Sequence, residues 1–323
     1  MTSAAQRLRT RLAQPGPLVA LGAHSPLSAL LAEEAGGDAI WASGFEISAS
    51  QGVPDANVLT MSEQLAVAAG MARRVEVPVI ADCDNGFGNA VNLIRTVRDY
   101  EAAGIAGICV EDNVFPKRCS FYAGVQRELV SAEEHAAKVR AALEARRSAE
   151  FVVIARTEAY IAGYGMEEAR RRAERYAEAG ADMILLHSKN PDYRELQAFA
   201  RSWEYPTPLV AVPTIYNQVS ADELASDGFK LVIFANHGLR ASLRAMRETY
   251  QALTSTRRAA SVEDEVATLQ EVYACVGVEE LREQERRYLV EPGAAAPGPE
   301  PHAAPEPHAA PEPHAAPAAP AAP

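Results

Sequence analysis

The chain has 323 residues, 48% of them hydrophobic, and a formal net charge of -12 from 31 basic and 43 acidic side chains. That acidic surplus, without any basic block, excludes a nucleic-acid surface as the main function, because neutralising phosphates takes clustered cations. No apolar run approaches a membrane span of about 18 residues, and the opening MTSAAQRLRTRLAQPG lacks a signal peptide's apolar stretch, so a cytoplasmic protein without a membrane partner is expected.

Residues 1–16 read as an N-terminal segment. From residue 17 onward short apolar, β-branched runs recur: PLVALGAH (17–24), DAIWASG (38–44), VPVIADCD (77–84), GICVED (107–112), FVVIARTE (151–158), MILLHS (183–188), PLVAVPT (208–214) and LVIFAN (231–236). Between most of them lie segments of helical periodicity, such as NAVNLIRTVRDYEAAG (89–104), AEEHAAKVRAALEARR (132–147) and MEEARRRAERYAEAG (166–180). Nearly continuous apolar strands alternating with amphipathic helices predict an α/β protein with a parallel sheet covered by helices. Eight such units predict a closed (β/α)8 barrel of the TIM type over residues 17–255. Neither G-x-G-x-x-G nor a Walker pattern follows the first strand, which counts against an open nucleotide-binding sheet.

After the eighth strand, SLRAMRETYQALTSTRR and SVEDEVATLQEVYACVGVEELREQERRYL read as further helices, with residues 256–292 forming a C-terminal helical segment. Surplus amphipathic helices cap a barrel or pack on a neighbouring subunit. Residues 293–323 are nearly all Ala, Pro, Gly, Glu and His, repeat E-P-H-A-A-P three times from Glu300, and are expected to be a disordered tail. Its His302, His308 and His314 read as part of a tether rather than a metal site. Cys83, Cys109, Cys119 and Cys275 lack paired spacing and are expected to be reduced thiols.

In such a barrel, catalytic groups belong at the C-terminal ends of the strands. Those ends carry His24, Ser43 and Gly44, Asp82 and Asp84, Glu111 and Asp112, Arg156 and Glu158, His187 and Ser188, Thr214, then Asn236 and His237. Asp82, Asp84, Glu111 and Asp112 are expected to face one mouth, with Arg156 beside them. Converging acids repel unless a cation compensates them, and oxygen ligands of this kind suit a largely aquated Mg2+. Arg156 either neutralises the cluster or clamps an anion. Trp41 reads as core, and Cys83, between two aspartates, should point away from the mouth because strand side chains alternate.

The stretch EDNVFPKRCSFYAG (111–124) follows the fourth strand and precedes a helix beginning near Ala132. About twenty residues without regular structure in a compact domain read as a functional lid. Lys117 and Arg118 flank Cys119 and favour its thiolate, which suits an acid, base or nucleophile.

Together GAHSPLSALLAEEAG, IWASGFEISASQGVPDAN, DCDNGFGNAVN, IARTEAYIAGYG and VIFANHGLRAS resemble the phosphoenolpyruvate mutase and isocitrate lyase superfamily. Within it they look most like the phosphonopyruvate hydrolases, with the phosphoenolpyruvate mutases next. The resemblance implies Mg2+, or Mn2+ or Co2+ in its stead, near Asp82 with Asp55, Asp84 and Glu111 around it. It implies a small 2-oxo acid or phosphonate substrate lying beneath Trp41 against Ser43, Gly44 and Phe45, with Arg156, His187 and Ser188 on its far end. Residues 113–126 become a gating loop in which Lys117, Cys119 and Ser120 are catalytic candidates. A homotetramer, commonly with C-terminal helices exchanged between subunits, is also implied; residues 262–290 could correspond to these.

This loop is a hybrid. The mutases resemble one another in E-D-K followed by N-S, whereas this chain has Asn113 for the lysine and Cys119 for the asparagine, keeping Ser120. The hydrolases carry threonine at the cysteine's place. PKRC resembles the K-R-C-G-H loop of carbon–carbon lyases acting on 2-hydroxy dicarboxylates, such as 2-methylisocitrate lyases, yet continues with Ser120 and Phe121. The reading expected from these residues is Mg2+-dependent cleavage of the carbon–phosphorus bond of phosphonopyruvate through a pyruvate enolate, with Cys119 protonating carbon. Lyase and mutase activities are the alternatives.

Overall fold

The structure, a computed structural model, describes residues 2–117 and 127–289. The chain divides into two compact units, Met1–Val276 and Gly277–Pro323. In the first, eight parallel strands close into a barrel in sequence order: β1 Leu18–Ala23, β2 Ala39–Ala42, β3 Val79–Asp82, β4 Gly107–Glu111, β5 Val152–Thr157, β6 Met183–Leu186, β7 Leu209–Ala211 and β8 Phe229–Phe234. This is the (β/α)8 architecture expected from the apolar runs, and each strand falls within its run apart from β8, which starts two residues earlier.

Side-chain alternation sorts the core. Leu18, Ala20, Ile80, Ile154, Leu185 and Ile233 point into the barrel, where Leu8 of the N-terminal helix Ala4–Ala13 joins them. The intervening residues, such as Ile40, Val79, Ile108 and Val153, pack outward under the helices. Many helix starts are fixed by side-chain caps, which supply acceptors for N–H groups that the first turn leaves unpaired. Asn89 caps Ala90–Ala102, Ser131 caps Ala132–Ala145 and Ser220 caps Ala221–Ser226.

The helix expected from residue 242 begins earlier, at His237, and runs to Thr256. Asn236, at φ +61°, turns the chain directly out of β8 into it. Leu243, Met246 and Tyr250 are exposed along that helix, as are Leu269, Val272 and Tyr273 on the helix Leu269–Val276. In the second unit the described part is the helix Val278–Tyr288, where Glu279 pairs with Arg282 and Arg286. Among the described residues no helix is long and apolar enough to cross a membrane, and Cys83, Cys109 and Cys275 carry free thiols. The tail from residue 293 lies outside the described residues.

His135, on the helix Ala132–Ala145, is fully buried with its ring edge-on to Tyr176 at 4.6 Å between centroids. Burial, with Lys138 and Arg172 adding to it, pushes its pKa down to about 3. Above the ordinary value near 6.5 the ring is neutral folded or unfolded, whereas below it only the unfolded chain takes the proton, so stability falls as pH drops from about 6.5 towards 3. Urea unfolding at pH 7.5 and 5.5 should show wild type losing about 1.4 kcal/mol more than His135→Phe over that interval. Identical losses would contradict this assignment.

Candidate active site

The inward rows of the barrel run on, at the C-terminal ends of the strands, into the residues that carry chemistry. Ala39 and Trp41 lead to Ser43, Ile80 to Asp82, Cys109 to Glu111, Ile154 to Arg156 and Leu185 to His187. A period of two residues therefore places five polar groups from five successive strands on one mouth. Four of them, Ser43, Asp82, Arg156 and His187, line a cavity of about 510 Å3, with Glu111 behind. Trp41, Ser43, Phe45, Asp55, Asp82 and Lys117 line one part of it, and Arg156, His187, Thr214, Asn236 and Arg240 line another.

Arg156 is the hub. Its Nε donates to Glu158 Oε1 at 2.7 Å, while its Nη atoms lie 3.2 Å from Glu111 Oε2 and 3.8 Å from Asp82 Oδ2. His187 Nδ1 sits 2.8 Å from Arg156 Nη2 and 2.9 Å from Glu158 Oε1, and Arg127 adds a second cation 3.4 Å from Glu158. Burial resists each charge, yet the surrounding acids hold the Arg156 guanidinium well above its ordinary pKa. Burial pushes His187 down, and Arg156 reinforces that, favouring a neutral imidazole. Burial likewise raises Glu111, against the pull of Arg156 and Lys117. Asn113 steadies Glu111 with a neutral hydrogen bond, Nδ2 to Oε1 at 2.8 Å.

Around Asp55 and Asp84 the compensating cation is Lys117. Its Nζ lies 2.8 Å from Asp55 Oδ1 and 2.5 Å from Asp84 Oδ1, and the side chain is only 5% exposed. Asp84 Oδ2 accepts from Asn57 at 2.9 Å and from Gln64 at 3.2 Å. Both Oδ1 atoms are buried and make no hydrogen bond; each is ion-paired with Lys117. Burial, with the neighbouring acids against Lys117, pushes Asp84 up to about 7. Among the described residues no group of three or more Asp, Glu, His or Cys side chains is placed to hold a metal ion on its own. What they offer is hard oxygen donors, two of them without hydrogen bonds, grouped around cationic side chains.

Ser43 caps the short helix Gly44–Ser50, its Oγ accepting from Glu46 N at 3.3 Å. As first-turn residues, Gly44 and Phe45 keep N–H groups without intrahelical acceptors, and Phe45 lines the cavity.

A sequence model of the phosphoenolpyruvate phosphomutase family matches residues 8–254. The chain belongs to this family of enzymes. It is 46% identical over 285 residues to a phosphonopyruvate hydrolase from Variovorax sp. (strain Pal2), covering 88% of this chain and 98% of that protein. A crystal structure of a phosphoenolpyruvate phosphomutase from Streptomyces platensis subsp. rosaceus superposes with a TM-score of 0.87 at 48% identity, covering 90% of this chain and all (100%) of that one. A phosphonopyruvate hydrolase solved with oxalate and Mg++ superposes at 0.85 and 44% identity, covering 90% of this chain and 100% of its own.

Within this phosphomutase-family barrel the expected residues divide. Trp41, Ser43, Phe45, Asp55, Asp82, Lys117, Arg156 and His187 line the cavity, with Asp84 and Glu111 reaching those residues from behind. Trp41 is both core and lining, at 3% exposed. Cys83 points away into apolar packing, as alternation predicts. Ser188 does not line the cavity; its Oγ accepts from Asn190 N at 3.1 Å. His237 opens the long helix, and His24 lies 3.6 Å from Glu46. Cys119 and Ser120, with most of the loop 113–126, lie outside the described residues.

Asp112 departs from expectation. It does not face the mouth, because it follows Glu111 by one residue and so points to the opposite side of the strand. Buried behind β5, its carboxylate accepts from Thr157 Oγ1 at 2.9 Å, Glu158 N at 2.8 Å, Arg172 Nη1 at 3.1 Å and Tyr176 OH at 2.7 Å. It thereby fixes the backbone that carries Glu158. Arg127, Asn57 and Gln64 were not singled out from the sequence, since nothing in a loop or helix position announces a partner on a distant strand end.

Proposed function

We propose that the protein cleaves the carbon–phosphorus bond of phosphonopyruvate, or of a close 2-oxo acid, giving pyruvate and phosphate. The observation that supports this best is the division of one cavity into an acidic side, Asp55 and Asp82 with Asp84 and Glu111 behind them, and a cationic side built on Arg156. A substrate with a carboxylate, a 2-oxo group and a phosphonate matches that polarity.

The donor set, with buried Asp55 and Asp84 oxygens that make no hydrogen bond, suits Mg2+, which prefers oxygen ligands and completes its shell with several waters. Asp82, Asp84, Asp55 and Glu111 would hold it, directly or through water. When bound, such a cation supplies positive charge for the oxygen that becomes the enolate. Ser43 and the amides of Gly44 and Phe45 hold the carboxylate end, while Arg156 and neutral His187 hold the phosphonate. The C–P bond breaks, its electron pair passes into the pyruvate enolate, and a water oxygen bonds to phosphorus. Carbon then takes a proton, which we assign to Cys119 on its place in the sequence. A mutase returns phosphorus to the enolate oxygen and needs no such proton. Asn113 and Cys119, in place of the mutases' lysine and asparagine, favour hydrolysis.

Pyruvate should form from phosphonopyruvate with Mg2+, stop on adding EDTA, and resume when Mg2+ is restored. Turnover that is indifferent to EDTA, or no pyruvate at all with Mg2+, would overturn the proposal.

A further inference from the structure

Lys117 occupies the position between two of the acids assigned above to the divalent cation. Its ammonium contacts Asp55 Oδ1 and Asp84 Oδ1, two buried carboxylate oxygens that lack hydrogen bonds, and among the described residues it is their only ion-pair partner. The main chain of Lys117 is pinned separately, its N–H donating to Asn57 Oδ1 at 2.6 Å. Only the flexible side chain has to move for those oxygens to be freed. Two cations a few ångströms apart in a poorly solvated site repel strongly, so ammonium and metal cannot share the acids.

We propose that Lys117 is an intramolecular competitor for the divalent cation, holding Asp55 and Asp84 until the metal displaces its ammonium. The proposal rests on the reading that these acids hold the metal. It assigns the lysine two successive positions. Without metal its charge offsets carboxylates that would otherwise be buried together unpaired. With metal bound, the ammonium is released towards the cavity that Lys117 already lines, where it faces the anionic substrate. Cationic charge for the substrate thus becomes available only after the metal has loaded.

The test uses the full chain and Mn2+ as probe, with free Mn2+ followed by electron paramagnetic resonance and no substrate present. An ammonium seated in nine molecules of ten weakens apparent metal affinity about tenfold, so Lys117→Met should bind one Mn2+ about tenfold more tightly than wild type. Equal or weaker binding by the variant, with wild type still binding one ion, would overturn the competition but leave the metal reading intact. No Mn2+ binding by either protein would overturn both. Should Lys117→Met fail to fold, wild type alone decides. The chain has four lysines, Lys117, Lys138, Lys189 and Lys230, and exposed Lys189 serves as internal standard. Acetylation of Lys117 by an amine-reactive ester, read by mass spectrometry, should be low in EDTA and rise several-fold with Mg2+; unchanged labelling contradicts the exchange.

Discussion

Arg156→Ala is expected to lower kcat/KM for phosphonopyruvate by about 10^3-fold or more, the scale of losing a preorganised charge at the reacting group. The guanidinium does two things at once. It faces the cavity, and it compensates Glu158, Glu111 and Asp82 at 2.7, 3.2 and 3.8 Å. Removing it also leaves buried acids short of a cation, at a cost of about 3–5 kcal/mol. Arg156→Lys separates these effects. The ammonium keeps the charge but loses the fork that reaches Glu158 and His187 together, so stability should recover more than activity does. Steady-state kinetics and thermal melts on both variants check this, and near-wild-type turnover in the alanine variant would remove Arg156 from the chemistry.

Asp112→Ala should be among the most destabilising substitutions in the barrel although Asp112 does not line the cavity. The carboxylate receives four hydrogen bonds, from Thr157, Glu158, Arg172 and Tyr176. Its loss leaves buried Arg172 with Glu168 as its remaining acidic partner. A loss of about 3–5 kcal/mol follows, or roughly 10 °C in Tm for a domain of this size. Tyr176→Phe removes one donor and should cost about 1 kcal/mol. Urea unfolding of the two variants measures the contrast. A Tm within two or three degrees of wild type for Asp112→Ala would mean the network relaxes around the gap.

Much of this architecture was legible in the sequence for one physical reason. Strands buried on both faces need continuous apolar runs, and the residue that ends each inward row must meet the mouth, so Asp82, Glu111, Arg156 and His187 could be placed by counting in twos. The same count, applied to Cys83, correctly turns it outward; applied to Asp112 it would have shown that this acid belongs behind the barrel. Lys117 was legible as a cation near the site but not as the partner of Asp55 and Asp84, because ion pairs 62 and 33 residues apart leave no mark in local pattern. Arg127 was hidden for the same reason. The early start of the helix at His237 follows from the left-handed conformation of Asn236, a residue type that tolerates it but does not require it.

The fate of phosphorus separates hydrolysis from mutase chemistry. Phosphorus NMR of phosphonopyruvate incubated with the full chain and Mg2+, beside Cys119→Ala, follows it directly. Hydrolysis predicts a growing inorganic phosphate signal that is slowed in the variant. A phosphoenolpyruvate signal would show mutase chemistry instead, and an unchanged spectrum would move the substrate to a 2-hydroxy dicarboxylate; either result contradicts the account.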